Sequence, residues 1–415
     1  MSIPLSIIVL AVVLVLIAVR QVGRVRFQMW QAMALGAVAV LVAGAIPLRA
    51  ALESVNVDVL LFLFGMFVIG QALEESGYLG HLAYRTFKRA RSMDALLVLV
   101  IFGFGLASAI LMNDTLAIIG TPVVLLLARK HDMPPRLLLL ALAFAVTTGS
   151  VMSPIGNPQN LLIALNGRIG NPFAEFFRWL FIPTVVNLAI VFLVLRRVYR
   201  DEWHDVPLTH SQEPIHDREL AMLSRISLQM VLLLIAVKVL IVAFGVRMEF
   251  PLTAIALVSC LPILVGSRRR WEIVRRIDWA TLVFFAAMFI LMESVWRSGF
   301  FQAILARSTF PVTAPETVLA VSTVLSQFIS NVPMVALYQP MLLHAGAGLP
   351  AFMALAAGST LAGNVLILGA ASNVIIVQNA EKRSHHTLSV AKFTAIGLPL
   401  TIVQLLVCWI CFQLL

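Results

Sequence analysis

The polar groups of this chain stand where an ordinary membrane helix would not carry them. Ser108-Ala-Ile-Leu-Met-Asn113-Asp114-Thr115 recurs as Ser326-Gln-Phe-Ile-Ser330-Asn331-Val-Pro333, with serine five residues before asparagine in both copies. A second polar break follows each copy: Gly156-Asn157-Pro158-Gln-Asn160 after the first, Gly369-Ala-Ala-Ser372-Asn373 after the second. Such residues free backbone N–H and C=O groups from helical pairing. At membrane depth this is tolerated only where the break is buried in protein or lines a polar cavity. Segments 104–128, 145–165, 320–343 and 355–380 contain no lysine or arginine, and Asp114 is their only acidic residue.

Amides, hydroxyls and half-helix ends suit a small hydroxylated solute or a bare cation better than a large anion that needs arginine clamps. The candidate substrate-binding residues are Asn113, Thr115, Ser153, Asn157, Asn160, Ser330, Asn331, Asn364, Ser372 and Asn373. Asp114 is the candidate proton-coupling residue. A carboxylate near the bilayer midplane costs several kcal/mol unless paired and is usually functional. Low-dielectric surroundings favour its neutral form, which equips it to take and release a proton. The competing structural role is a cap on the following half-helix. For the asparagines it is interhelical glue.

Composition bounds the setting. The 415 residues are 60% hydrophobic and 12% charged, against about 25% charged in a soluble domain, so this is a polytopic membrane protein. The net charge of +10 is scattered between apolar segments, which fits positive-inside topology and not nucleic acid. Residues 1–19 read as the first membrane helix, since no basic region or small-residue cleavage site precedes a cleaved leader. Cys260, Cys408 and Cys411 all fall in apolar segments, so no disulfide framework is expected, and Cys408-x-x-Cys411 reads as packing. The histidines show no metal-ligand spacing, no cofactor is implied, and no enzyme motif such as His-Glu-x-x-His or Gly-x-Ser-x-Gly occurs. Lys238 is a mid-segment charge, a candidate coupling residue or interhelical partner.

These residues must be positioned by apolar stretches near 3–19, 28–48, 57–75, 175–195, 226–246, 250–267, 279–296 and 390–413, each close to the length that crosses about 30 Å of hydrocarbon. The runs 95–128, 137–165, 313–343 and 350–380 are interrupted by the motifs. Asp58 to Gly77 also resembles Asp278 to Gly299, with Met66-Phe67 matching Met288-Phe289. The chain therefore divides into a first transmembrane repeat (1–197), a cytoplasmic linker (198–224) and a second repeat (225–415). With the N- and C-termini outside and 95–128 and 313–343 as re-entrant hairpins, 23 of the 30 basic residues fall inside. Each half then has five crossings, one hairpin and a broken helix, and an odd number of crossings inverts the second half. Matched breaks in two inverted halves are the pattern of a secondary transporter with its site at the repeat interface.

At Met112-Asn113-Asp114-Thr115, Pro154-Ile-Gly156-Asn157-Pro158-Gln159-Asn160 and Gly369-Ala-Ala-Ser372-Asn373 the chain resembles the arsenite efflux permeases and sodium/proton antiporters of the ion-transporter superfamily. The resemblance covers nearly the whole chain. It implies an inverted-repeat elevator carrier in a bacterial inner membrane, often a homodimer. It also implies exchange of arsenite or antimonite for protons, and a cytoplasmic arsenite-stimulated ATPase as the partner some arsenite permeases use. Sodium/proton antiport, or carriage of another inorganic or organic anion, is the alternative within the superfamily. Dicarboxylate carriers have Ser-Asn-Thr at both hairpin tips. The tips here, Met112-Asn113-Asp114-Thr115 and Ser330-Asn331-Val332-Pro333, depart from that and point away from dicarboxylates.

Overall fold

A backbone in hydrocarbon has no water to bond, so each apolar stretch satisfies itself as a helix. The structure, a computed structural model, describes residues 4–19, 21–22, 25–26, 28–78, 81–82, 87, 90–131, 133–202, 215–244, 251–300, 303, 311–384 and 388–414. Among the described residues are eighteen α-helices and one two-residue strand pair, Gln21–Val22 with Val25–Arg26. The first nine helices are α1 (Leu5–Val19), α2 (Met29–Val42), α3 (Leu48–Ser54), α4 (Val57–Glu75), α5 (Met93–Leu111), α6 (Asn113–Lys130), α7 (Pro135–Ser150), α8 (Pro158–Asn166) and α9 (Pro172–Val198). The other nine are α10 (Arg218–Ala243), α11 (Leu252–Gly266), α12 (Arg270–Arg276), α13 (Trp279–Arg297), α14 (Pro315–Ile329), α15 (Asn331–His344), α16 (Leu349–Leu361), α17 (Ala371–Ser384) and α18 (Val390–Leu414). Six of them, α4, α5, α9, α10, α13 and α18, are long and apolar enough to cross a membrane. The all-α polytopic architecture expected from the sequence is the architecture observed.

The two sets of nine correspond element by element. Helices α4 and α13 each have 19 residues and begin at 57 and 279, a displacement of 222. Helices α3 and α12 each have seven residues at the same displacement. Gly77 and Gly299, which follow α4 and α13, share φ +71°. The breaks at Met112 and Ser330 lie 218 apart and adopt nearly one conformation, φ 67°, ψ 143° and φ 65°, ψ 158°. Each second hairpin arm carries a proline nine residues on, Pro122 and Pro340. Helices α8 and α17 start 213 apart. The structure also corrects one detail of the repeat: the counterpart of Asp278 is Asn56, not Asp58. Asn56 and Asp278 each cap the helix that follows, accepting from the N–H groups of Val59 and Thr281, whereas Asp58 accepts from the Thr253 hydroxyl at 2.9 Å.

Ion pairs and hydrogen bonds fix the direction of each element. Glu75, the last residue of α4, pairs with Arg269 at 2.7 Å and Arg276 at 3.2 Å, and Arg269 also meets Asp217 and Glu272. The end of α4 therefore lies beside the start of α13, and these two helices run in opposite directions. The start of α4 is on the far face, where the Asn56 amide donates to Asn166 at the end of α8 (2.9 Å). Helix α9 starts on that far face and returns to the Arg269 face. There Arg196 pairs with Asp94 at the start of α5 (2.6 Å), and Met133 to Arg136, after α6, share a recess with Tyr199 and Glu202. The α5–α6 hairpin thus enters and leaves on the Arg269 face. The α14–α15 hairpin does so on the other: His344 at its end packs edge-on against Trp296 near the end of α13. The Ser6 and Ser294 hydroxyls bond at 2.7 Å on that same face.

Small residues let the broken segments approach their hairpins. Gly149 of α7 crosses Gly105 of α5 so closely that a Cβ at 149 would sit 2.0 Å from the Gly105 carbonyl oxygen. Of the polar linker 198–224, residues 203–214 lie outside the described residues, and its far end is ordered. The N–H groups of His216 and Asp217 both donate to the Ser76 carbonyl (3.1 and 3.4 Å), and α10 begins at Arg218. Among the basic residues counted for the topology, Arg20, Arg24, Arg85, Lys88, Arg89, Arg247 and Arg307 lie outside the described residues, as do His385 and His386.

Candidate functional site

The site is assembled where the hairpin tips meet the breaks. Met112 and Ser330 hold a positive φ with an extended ψ, a conformation nearly confined to glycine that costs of order 1–3 kcal/mol elsewhere. The turn at each position lets a new helix start at once, so α6 and α15 begin at Asn113 and Asn331 with first-turn N–H groups free of helical partners. The Asn113 N–H donates to the Gly156 carbonyl at 2.9 Å, seating the first tip on the first break. A Cβ at Gly156 would lie 2.3 Å from the Ser150 carbonyl oxygen, so this position has room only for glycine.

Each break is tied down by its own asparagine and by a residue of the other half. The Asn160 amide donates to the carbonyls of Ser150, Val151 and Ser153 at 3.1, 3.2 and 3.0 Å. Its oxygen accepts from the Thr360 hydroxyl at 3.3 Å. Asn157 caps α8 through the Asn160 N–H (2.8 Å) and donates to Ser150 and Thr360. In the second half Asn373 donates to the Gly363 carbonyl at 2.6 Å, the counterpart of the bond from Asn160 to Ser150. Asn364 donates to Thr148 of the first half (3.2 Å) and to Gln404 (3.0 Å), and Gln404 closes the triangle onto Thr148 (3.0 Å).

Between tips and breaks lies a cavity of about 560 Å³. Its wall includes Asn113, Asp114, Ser330 and Asn331 from the two tips, with Gly369 to Ala371 from the second break. Asp114 lies in the first turn of α6 and beside the Ser372 N–H in the first turn of α17, so two half-helix N-termini converge on it. The Asn113 amide donates to the Ser372 hydroxyl at 3.5 Å. Of the residues proposed from sequence, Asn157, Asn160, Asn364 and Asn373 stand behind the wall as buried staples. Ser153 bonds the Ile155 N–H, and Thr115 packs against Gly70 of α4. Lys238, on α10, is not among the cavity-lining residues.

Several wall groups are not among the residues proposed from sequence, Gln159 and Gln378 of the broken segments included. Asp278 and Thr281, at the start of α13, and Gln28, before α2, enter the cavity from elements outside the broken segments. The pattern Asp278-Trp-Ala-Thr281 is readable as a helix cap, but nothing local says that the cap borders the tips. The described wall thus carries two carboxylates and no lysine or arginine. The side-chain oxygens of Asn113, Asn331, Asn364 and Asn373 are buried without a hydrogen-bond donor. Among the described residues no His/Cys/Asp/Glu group of metal-binding size occurs.

Comparison with known proteins places this architecture. The chain is 27% identical over 369 residues to a 46 kDa membrane protein of Mycobacterium leprae, covering 84% of each. It is 29% identical over 440 residues to the silicon efflux transporter LSI3 of Oryza sativa subsp. japonica, covering 89% of each. Among solved structures it superposes on the YdaH transporter of Alcanivorax borkumensis with a TM-score of 0.59 at 16% identity, over 99% of this chain and 97% of that one. The arsenite branch suggested by the tip motifs is not singled out by these matches. The model of the citrate transporter family CitMHS matches residues 12–358, from within α1 to within α16, and the chain belongs to that family of membrane transporters.

Proposed function

We propose that the protein is a secondary carrier exporting arsenite or antimonite from the cytoplasm in exchange for protons, with Asp114 as proton carrier. The observation that carries the reading is the cavity wall: amides, hydroxyls and carboxylates, with no cationic side chain among its described residues. Arsenous acid is a neutral trihydroxide at neutral pH, and such a wall can match its donors and acceptors without a counter-charge. A tricarboxylate would meet two acidic groups instead. Silicic acid, suggested by the plant relative, belongs to the same class of neutral polyhydroxide. One proton entering across 100 mV supplies about 2.3 kcal/mol, enough for a gradient of roughly fiftyfold in a neutral solute. The two repeats, 1–197 and 225–415, form the inverted pair, and the Arg269 face is cytoplasmic in a bacterial inner membrane with both termini outside.

A second reading, sodium/proton exchange, has its own support. Four buried asparagine oxygens without donors are costly, about 1–3 kcal/mol each, and the two on the cavity wall, those of Asn113 and Asn331, suit a dehydrated cation. Everted vesicles test both readings. An inside-acid gradient should drive uptake of radiolabelled arsenite by the native protein, and Asp114→Asn should abolish it. Absence of arsenite uptake, with added sodium dissipating the proton gradient, would replace the first reading with the second.

A further inference from the structure

The correspondence between halves makes one contact conspicuous. On the far face the Asn56 amide, at the cap of α4, donates to Asn166 at the end of α8. The displacement of 222 carries Asn56 to Asp278 at the cap of α13. The displacement of 213, shared by the starts of α8 and α17 and by the matched bonds of Asn160 and Asn373, carries Asn166 to Asn379 near the end of α17. Asp278 and Asn379 are therefore the symmetry counterparts of a hydrogen-bonded pair, and no hydrogen bond joins them. Asp278 instead bonds only within its own cap, to Thr281. It lines the cavity together with Gln378, the residue beside Asn379. One pair is joined by a hydrogen bond, and its counterpart is not.

We propose that Asn56–Asn166 and Asp278–Asn379 are the two alternating closing contacts of the carrier, the first made when the cavity opens on the Arg269 face and the second when it opens on the opposite face. In each pair one partner caps a long unbroken helix, and the other lies in the C-terminal part of a short helix that begins at a break. Sliding the hairpins and breaks along α4 and α13 would part the first pair and join the second. Asp278, a carboxylate where the first half has an amide, accepts from the Asn379 amide in this closed form. The inference rests on the carrier reading but not on the identity of the substrate.

The experiment uses the full chain with Cys260, Cys408 and Cys411 replaced by alanine. One variant carries Asn56→Cys with Asn166→Cys, another Asp278→Cys with Asn379→Cys, and a third all four. Short thiol cross-linkers should join each pair in its own variant, and in the third should leave one bond per molecule, never both. Joining the first pair should keep Ser330→Cys reactive to an impermeant maleimide from the Arg269 face, and joining the second should abolish that labelling. An uncrosslinked variant guards against misfolding of the cysteine pairs. Asn379→Lys gives Asp278 an ammonium partner and should lower labelling of Ser330→Cys up to about fivefold, the reach of an exposed ion pair. Two bonds forming in one molecule, or a second pair that never joins while Asn379→Lys leaves labelling unchanged, would overturn the proposal. Neither result depends on which solute is carried, so both stand apart from the arsenite assay.

Discussion

Replacing Asn160 by alanine should cost far more than the symmetry-matched change at Asn373. Asn160 spends its two amide hydrogens on three carbonyls at the end of α7, at 3.0 to 3.2 Å, and its oxygen on Thr360. No water reaches these groups: Ser150 and Asn160 are fully buried. The Ser150 and Ser153 carbonyls keep the N–H groups of Ser153 and Gly156, but alanine leaves the Val151 carbonyl without a donor and the Thr360 hydroxyl without its acceptor. At about 1–3 kcal/mol for each such group, a loss of roughly 3 kcal/mol follows. Asn373 makes one such bond, to Gly363, and its own oxygen already lacks a donor. Truncation there removes an unsatisfied acceptor along with the bond and should cost about 1 kcal/mol. The difference, about 2 kcal/mol, is roughly thirtyfold in the folding equilibrium. It can be read from reversible SDS titrations in mixed micelles followed by tryptophan fluorescence. Asn160→Asp should be worse than alanine, because it turns a carboxylate towards three carbonyl oxygens. Equal losses at 160 and 373, or a loss below 1 kcal/mol at 160, would refute the view that this asparagine holds the break together.

Other consequences are open to the same methods. Ser330→Gly removes a Cβ from a positive-φ position and should raise stability by about 1 kcal/mol in that titration, while Asn331 keeps its place in the wall. Gly156→Ala must displace the Ser150 carbonyl and with it the seat of Asn113, so arsenite uptake in vesicles should fall at least tenfold with the protein still inserted. Arg269→Gln strips ion pairs from Glu75, Asp217 and Glu272 and leaves the nearly buried Glu75 with the Arg276 ion pair and the Gln71 amide. A loss of about 2 kcal/mol is expected, whereas Arg49→Gln, whose partner Glu53 is exposed, should change stability by less than about 0.5 kcal/mol.

Much of this arrangement is legible in the chain. Apolar length gives the spans, because hydrocarbon leaves a backbone no alternative to the helix. The spacing of Asn113 and Asn331 places both tips, because only a break exposes backbone groups that need such neighbours. The basic residues place both ends of 95–128 on one face, and the contacts of Asp94 and Arg136 put them there. The division of labour among the polar residues is another matter. Asn113 and Asn160 are the same residue type in similar apolar company, yet one faces the cavity and the other is consumed by three carbonyls. That distinction depends on where the end of α7 falls relative to the tip of a hairpin some forty residues earlier.

The sequence by itself determined the membrane setting, the helical spans, the hairpins and the lone carboxylate at a tip, since each follows from local composition and spacing. Only the tertiary structure decided that Asp278 shares a cavity with Asp114, that Thr148 and Thr360 each brace the break of the other half, and that Asn56 meets Asn166 while Asp278 bonds within its own cap. Those facts arise where two halves running in opposite directions meet, and no local pattern records which residue of one half will stand opposite which residue of the other.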